Sequence, residues 1–366
     1  MIGQRSMGGG KRSGGIERHV EEVSIRLVRM GHEVLVFARR AYSKNHEKYQ
    51  DGVEIIYSPT IYRKHLENIV HSFFATFVAM RRRADVIHYH GVGAATLAWI
   101  PRMLAPRTTV IVTFHSRDRF HKKWKWFARK YLSLGERAAV TLPHYCIAVS
   151  HEIQVYCRDT FGKEVVYIPN GANTNQICDR DRVVEFGLEP KNYLLSVGRL
   201  VPQKGFDLLM EAFSDLETEM HLAIVGGESF SEQYVQHLRT LAKKDPRMHL
   251  LGHQPMETLE ALYCDAYLYI HPSSAEGMPL AVLEAMAAGT MPLVSDINEN
   301  VEAVKYAGET FKAGDKKSLK LKISDLLLRV DRVSEGGEEA MAVAEAYYSW
   351  DMIAKHTEGV YITARH

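Results

Sequence analysis

Two carboxylates eight positions apart, Glu276 and Glu284, stand in the run Ser273-Ser274-Ala275-Glu276-Gly277-Met278-Pro279-Leu280-Ala281-Val282-Leu283-Glu284. Gly277 lets the backbone turn and Pro279 suits a first helical turn, so the run reads as a post-strand loop entering a helix. Glu276 then ends the loop, and Glu284 lies one to two turns into the helix. The backbone N–H groups of Met278, Leu280 and Ala281 have no intrahelical acceptor there, and the helix dipole stands behind them. A diphosphate bearing a sugar fits this arrangement, with phosphate at the helix end, one carboxylate on sugar hydroxyls and the other on a ribose. The plainer reading is a capped helix with one solvated Glu and one facing a neighbour. Against it, Glu284 sits among Leu283, Ala285 and Met286.

A second constellation is Ser196-Val197-Gly198-Arg199-Leu200-Val201-Pro202-Gln203-Lys204-Gly205-Phe206. Arg199 falls at the carboxyl end of a strand and Lys204 just before the next helix. Two cations so placed can neutralise a diphosphate leaving group that otherwise needs a divalent metal, Arg as a planar fork and Lys as a mobile point charge. Alone the pair reads equally as solvated surface.

Near the amino terminus, Gly8 to Gly15 forms a glycine-rich loop, with Gly14 and Gly15 opening a helix, where backbone can approach a phosphate closely. That loop also permits an NADP-dependent oxidoreductase. Its spacing is not G-x-G-x-x-G, however, and the next strand ends in Arg39-Arg40 rather than an acidic residue. Next, Thr113-Phe114-His115-Ser116-Arg117-Asp118 sets His115 at a strand end, able to bond a transferred sugar or polarise an acceptor; a satisfied structural histidine is equally compatible. His88 and His90 alternate along another strand and receive little functional weight. The Gly252-His253-Gln254 loop is placed to select base and sugar. Asp179-Arg180-Asp181 has the form of a D-x-D metal motif but lies in a charged stretch, and no metal is expected.

Strands and helices alternate along the chain, as in parallel sheets covered on both faces. Strands are predicted at Val34–Ala38, Asp85–His90, Thr108–His115, Cys146–Val149 and Val165–Ile168. A second set follows at Tyr193–Val197, Leu222–Val225, Met248–Leu250, Tyr267–Ile270 and Met291–Val294. Helices are expected over Ile16 to Met30, Leu208–Leu216 and Glu232–Lys244. Met1-Ile2-Gly3 runs straight into the glycine loop and reads as the last part of a first strand. Ile168-Pro169-Asn170-Gly171 breaks both periodicities and marks a hinge. The 366 residues favour two domains: an acceptor-side Rossmann-like unit over 1–170, a donor unit over 171–345, and a closing helix over 346–366. Two such α/β halves facing across a cleft would bring ligands to the carboxyl ends of their strands.

Composition bounds the rest. Hydrophobic residues make up 46% and charged residues 25%, with net charge +2, so nothing suggests a nucleic-acid partner. The four cysteines show neither metal spacing nor a disulfide pattern and read as reduced cytosolic thiols. No apolar run reaches the ~20 residues of a spanning helix.

Taken together, these motifs make the sequence similar to the group 1 glycosyltransferases of family 4, across nearly the whole chain. The family's Glu-x7-Glu element is matched by Glu276 and Glu284, and its Arg/Lys pair by Arg199 and Lys204. Its glycine turn is matched by Gly14-Gly15, and its His-Gly-x-Asp element by His115-Ser116-Arg117-Asp118. Tyr348-Ser349-Trp350-Asp351 matches the segment where a last helix crosses back to the first domain. The resemblance implies a GT-B fold and a retaining, metal-independent transfer of sugar from a nucleotide diphosphate donor. It also implies front-face attack, with Glu276 binding sugar, His115, Arg199 and Lys204 assisting, and donor contacts from Gly277, Met278, Pro279, Leu280, Glu284, Gly252 and His253. Ser116 departs from the family's glycine, and Asn173 stands where a carboxylate is usual. A binder that lost turnover remains an alternative.

The segment His121 to Tyr131 mixes cations with aromatics, as does Phe73 to Arg83, either of which could lie on an anionic bilayer. A lipid-linked or glycan acceptor, cell-surface glycan synthesis and a cytoplasmic, peripherally membrane-bound protein are the corresponding expectations.

Overall fold

The computed structural model describes residues 1–7, 14–43, 46–61, 66–117, 126–174, 178–179, 181–227 and 231–364, with backbone alone for 126–129. Most of the amino-terminal glycine loop, from Gly8 to Ser13, and the aromatic-basic run up to residue 125 therefore lie outside the described residues. The chain divides into two compact units, one comprising Met1–Asn170 with Trp350–His366 and the other Gly171–Ser349.

In the first unit the strands are β1 (Leu35–Ala38), β2 (Tyr49–Gln50), β3 (Val53–Tyr57), β4 (Val86–His90), β5 (Thr109–Phe114), β6 (Tyr145–Ala148) and β7 (Val166–Tyr167). The helices are α1 (Gly15–Arg29), α2 (Glu67–Arg81), α3 (Val92–Ala95), α4 (Trp99–Leu104), α5 (Trp126–Thr141) and α6 (His151–Phe161). β4 to β7 form a parallel sheet in sequence order, and β1 pairs in parallel with β3. Met1 and Ile2 lie between these two pieces. The Met1 carbonyl accepts from Phe37 N–H, while Ile2 exchanges backbone hydrogen bonds with His88 and His90. β5 is buried along its whole length, as its run Thr-Val-Ile-Val-Thr-Phe suits an interior parallel strand. Val20, Val23 and Leu27 recur at helical spacing in α1 and are buried against the sheet side, which fixes that helix by its apolar stripe.

Two strands of this unit escaped the sequence reading. β2 and β3 form a hairpin across Asp51-Gly52, both with positive φ (49° and 82°), the conformation that an Asp-Gly turn favours.

The second unit carries α7 (Asp181–Val184), β8 (Tyr193–Val197), α8 (Phe206–Ser214), β9 (His221–Val225), α9 (Glu232–Ala242), β10 (Met248–Gly252) and α10 (Met256–Asp265). It continues through β11 (Leu268–His271), α11 (Leu280–Ala287), β12 (Pro292–Ser295), α12 (Asn298–Val304), β13 (Glu309–Phe311), α13 (Lys316–Leu328) and α14 (Val330–Tyr348). Among the described residues its six strands, all parallel, run in the order β10-β9-β8-β11-β12-β13. Phe206, Leu209, Met210 and Phe213 of α8 pack with Leu194, Ile224, Leu268 and Ile270 of the sheet in one buried core. Each such side chain contributes about 1.5–3 kcal/mol by leaving water. After α14 the chain returns to the first unit as α15 (Trp350–Thr363), which packs on α1.

The cysteines correct an expectation. Cys178 and Cys264 form a disulfide, whereas Cys146 and Cys157 are free and buried. The two partners are 86 residues apart in sequence, so no local spacing announced the pair. Among the described residues no helix is long and apolar enough to cross a membrane.

Candidate active site

Counted from β8, the strand order of the second unit is 3-2-1-4-5-6. The order reverses between β8 and β11, and the crevice beyond the carboxyl ends of two such strands is where open parallel sheets bind ligands. The sequence places Arg199 and Lys204 directly after β8, and His271 through Glu276 directly after β11. The topology thereby brings two separate motifs to one place.

There, Lys204 Nζ donates to Glu276 Oε1 at 2.6 Å, and His271 Nε2 donates to the same oxygen at 2.9 Å. The three side chains are 13%, 10% and 2% exposed. Burial alone would raise the Glu276 pKa, but the Lys204 ammonium and the bond from His271 outweigh it and hold the carboxyl well below its usual range. His271 is pushed down by burial and by Lys204, with Glu276 opposing. The Tyr269 hydroxyl meets His271 Nδ1 at 3.0 Å and so fixes the ring.

The loop itself is pinned from below. Asn300 Nδ2 donates to Ser295 Oγ at 2.8 Å and to Ser273 Oγ at 3.3 Å, while Ser295 Oγ donates to the Ser273 carbonyl. Pro279 is the N-cap of α11 and supplies no capping side chain; Val282 and Leu283 donate to its carbonyl, and the N–H groups of Leu280 and Ala281 are the ones suited to an anion. Glu284 is half-buried one turn further on, accepting from the Tyr263 hydroxyl at 3.1 Å.

Close backbone approach shapes the remaining edge. A Cβ on Gly226 would lie 1.8 Å from the Gly198 carbonyl oxygen, so the ends of β8 and β9 meet only because glycine stands there. Gly205, at φ +67°, turns the chain from the 3-10 turn holding Lys204 into α8. Arg199 is exposed, as are Gly252 and His253 at the end of β10.

In the first unit, Glu17 ties together the two described ends of the glycine loop, accepting from Arg5 N–H at 3.0 Å and Gly14 N–H at 2.9 Å. Gly15 opens α1, and one turn further His19 packs edge-on against His115 with ring centroids 4.8 Å apart. His115 follows β5, only 7% exposed, and its Nε2 lies 3.2 Å from His90 Nδ1. Burial pushes both imidazoles well below the ordinary histidine pKa, so both are neutral at pH 7. Arg39, which would serve an NADP phosphate, is 5% exposed and already bonds Glu67, Asn68 and the Gly3 carbonyl.

Two family models match the chain end to end of one another. Glycosyltransferase Family 4 covers residues 13–176 and Glycosyl transferases group 1 covers residues 179–340. The chain belongs to the group 1, family 4 glycosyltransferases. Among curated relatives, the phosphatidyl-myo-inositol mannosyltransferase of Mycobacterium leprae is 25% identical over 96% of this chain and 93% of its own. The spore coat protein SA of Bacillus subtilis is 24% identical over 96% of this chain and 95% of its own. Among solved structures, the sucrose-phosphate synthase of Thermosynechococcus elongatus superposes with a TM-score of 0.84 at 18% identity, covering 98% of this chain and 97% of that one. Anabaena HepE, crystallised with UDP and glucose, gives 0.81 at 19% identity, covering 98% of each chain. The fold is therefore of the GT-B class, built from two Rossmann-like α/β units.

Within this glycosyltransferase, direct contact joins Lys204 to Glu276, and the loop Gly277-Met278-Pro279-Leu280 leads from there into the helix of Glu284. Gly14, Gly15 and His115 belong to the first unit. Lys204, read from sequence as a free cation for phosphate, already spends one donor on Glu276. Sequence reading missed His271, Tyr269, Tyr263 and Asn300. A strand-end position two residues before the loop was the available signal for His271; the others are contacts between distant elements and left none.

Proposed function

We propose that the protein is a retaining, metal-independent glycosyltransferase that moves a sugar from a nucleoside diphosphate donor to a lipid-linked or glycan acceptor in cell-surface glycan synthesis. The observation that carries this is Glu276, kept ionised by Lys204 and His271 at the switch point of a 3-2-1-4-5-6 sheet, one loop before an uncapped helix. Both known donors to Glu276 use Oε1, so Oε2 is left to bind sugar hydroxyls. The remaining hydrogens of the Lys204 ammonium and the Arg199 guanidinium stabilise the negative charge that develops on the departing diphosphate, the role a divalent cation plays elsewhere. The leaving phosphate oxygen takes the acceptor proton on the same face of the sugar, which retains configuration. Glu284 receives the ribose, with Tyr263 orienting it, and His115 is assigned to the sugar or acceptor. The UDP bound by Anabaena HepE supports a nucleotide donor.

A lipid-linked acceptor is supported by one surface. Phe73, Phe74 and Phe77 of α2, and Trp99, Met103 and Leu104 of the adjacent α4, are exposed, with Arg81, Arg82 and Arg83 closing α2. An apolar face beside cations suits a peripheral position on an anionic bilayer at the cytoplasmic side, and the mycobacterial relative is named for a phosphatidyl-inositol acceptor.

The test is a thermal-shift series with UDP-, GDP- and ADP-sugars in EDTA, repeated on Arg199→Ala and Glu284→Ala. A shift with one nucleotide series, lost in both variants, is expected. A folded protein that responds to none of them overturns the donor site.

A further inference from the structure

Three imidazoles from three different elements of the first unit converge in its interior: His19 from α1, His90 from the end of β4 and His115 from the residue after β5. One ring nitrogen from each lies within 4.8 Å of the other two. We propose that these histidines form a site for a borderline divalent transition metal of the zinc class.

The spacing approaches that of a ligand set. A tetrahedral ion with metal–nitrogen bonds of about 2.0 Å holds its nitrogens about 3.3 Å apart and the ring centroids about 5 Å apart. His90 Nδ1 and His115 Nε2 are 3.2 Å apart. The ring centroids are separated by 5.5 Å (His19–His90), 4.8 Å (His19–His115) and 5.4 Å (His90–His115). Three neutral imidazoles and no carboxylate or thiolate select for zinc, copper or nickel over magnesium or calcium.

An outer partner orients the set as metal sites require. His19 Nδ1 donates to Asn170 Oδ1 at 2.9 Å, leaving the lone pair of Nε2 for a ligand. Trp350 packs edge-on to the same ring at 5.6 Å. His88 lies against His90, ring centroids 4.1 Å apart and tilted by 32°, and already uses both nitrogens, on Tyr361 and Thr113, so it buttresses the set without joining it. His19 and His90 are 2% and 1% exposed and His115 7%, so entry is from the His115 side.

The site goes beyond the donor chemistry, and one consequence rests on the sugar-binding role given to His115: an ion that takes its Nε2 withholds it from substrate. Zinc is then a reversible inhibitor of a transferase that needs no metal.

The experiment titrates EDTA-stripped, dialysed protein with zinc chloride against a chromophoric chelator, with no substrate present. One tight equivalent is expected, weakened at least tenfold in His19→Gln, His90→Asn and Asn170→Ala. His249→Gln, which removes half of the separate His221–His249 pair, should leave it unchanged. X-ray absorption on the wild-type zinc complex, independent of any variant's folding, should show three imidazole ligands. Absence of a tight equivalent, binding lost with His249→Gln, or an absorption spectrum without imidazole overturns the site. Tight binding through the three histidines with transfer undiminished upholds the site and overturns only the sugar role of His115.

Discussion

Lys204 and Glu276, 72 residues apart in sequence, are joined by a 2.6 Å ion pair with both side chains almost wholly withdrawn from water. Removing one partner of such a pair leaves an uncompensated buried charge. Lys204→Met should therefore lower unfolding free energy by about 3 kcal/mol, softened by the remaining bond from His271. Transfer should fall by about 10²–10³-fold. Urea unfolding and steady-state rates on the same preparation check both, and Lys204→Arg should not restore the rate, because a planar fork cannot replace a compact ammonium here.

Tyr263 meets the candidate donor site through its hydroxyl bond to Glu284 and through its ring, which packs against Tyr269 with centroids 5.7 Å apart. Tyr263→Phe keeps the buried ring and deletes the bond, worth about 1.5–3 kcal/mol when the acceptor is charged. Much of that will be recovered by water at a half-buried carboxylate, so donor KM should rise about three- to tenfold with kcat little changed. An unchanged KM would remove Glu284 from the ribose.

Gly226→Ala should be disproportionately costly for so small a change, since its Cβ would sit 1.8 Å from the Gly198 carbonyl. A loss of about 1–3 kcal/mol is expected from forcing two backbones apart. Because Gly198 precedes Arg199, donor-induced stabilisation should fall as well, which melting curves with and without nucleotide sugar will show.

Acid should weaken the fold in two windows. Burial, with Arg39 adding to it, pushes His71 of α2 down to about 3, so between pH 6.5 and that value the unfolded chain binds a proton that the folded one refuses. Stability attributable to His71 is complete above pH 6.5 and should drop by about 2 kcal/mol on going to pH 5. Glu276 has a depressed pKa, so its contribution is present above about pH 4.3 and is lost only as pH falls further toward the folded value. Urea unfolding at pH 7.5, 6 and 5 should show the first window, and His71→Leu should make it shallower by that amount, the rest belonging to His19, His88, His90 and His115, which burial also pushes down.

Thiol counting addresses the cysteines. Denatured without reductant, the protein should show two reactive thiols, Cys146 and Cys157, and four after reduction. Cys178→Ser should lower the stability of the second unit by about 2–4 kcal/mol.

Much of this was legible in the sequence where the signal is local. β8 was read at its observed bounds, because Tyr193 to Val197 is an apolar run ended by glycine. Strand ends elsewhere moved by a residue or so, as at β5 and β11. Glu276, Arg199 and Lys204 could be placed because each stands next to a strand end, where periodicity stops and turn residues begin. The hairpin across Asp51-Gly52 was equally local and was overlooked. What periodicity cannot supply is pairing over distance: Lys204 with Glu276, Tyr263 with Glu284, Cys178 with Cys264. Those depend on the order in which strands enter a sheet, and the same holds for the convergence of His19, His90 and His115.

The passage of α15 back onto α1 sets a schedule for biosynthesis. Every strand of the second unit leaves the ribosome before Asp351 can reach Arg26, or Tyr361 can reach His88. The unit made first is thus finished last, and a chain released after residue 349 would carry a completed second unit behind a first unit still waiting for its closing helix.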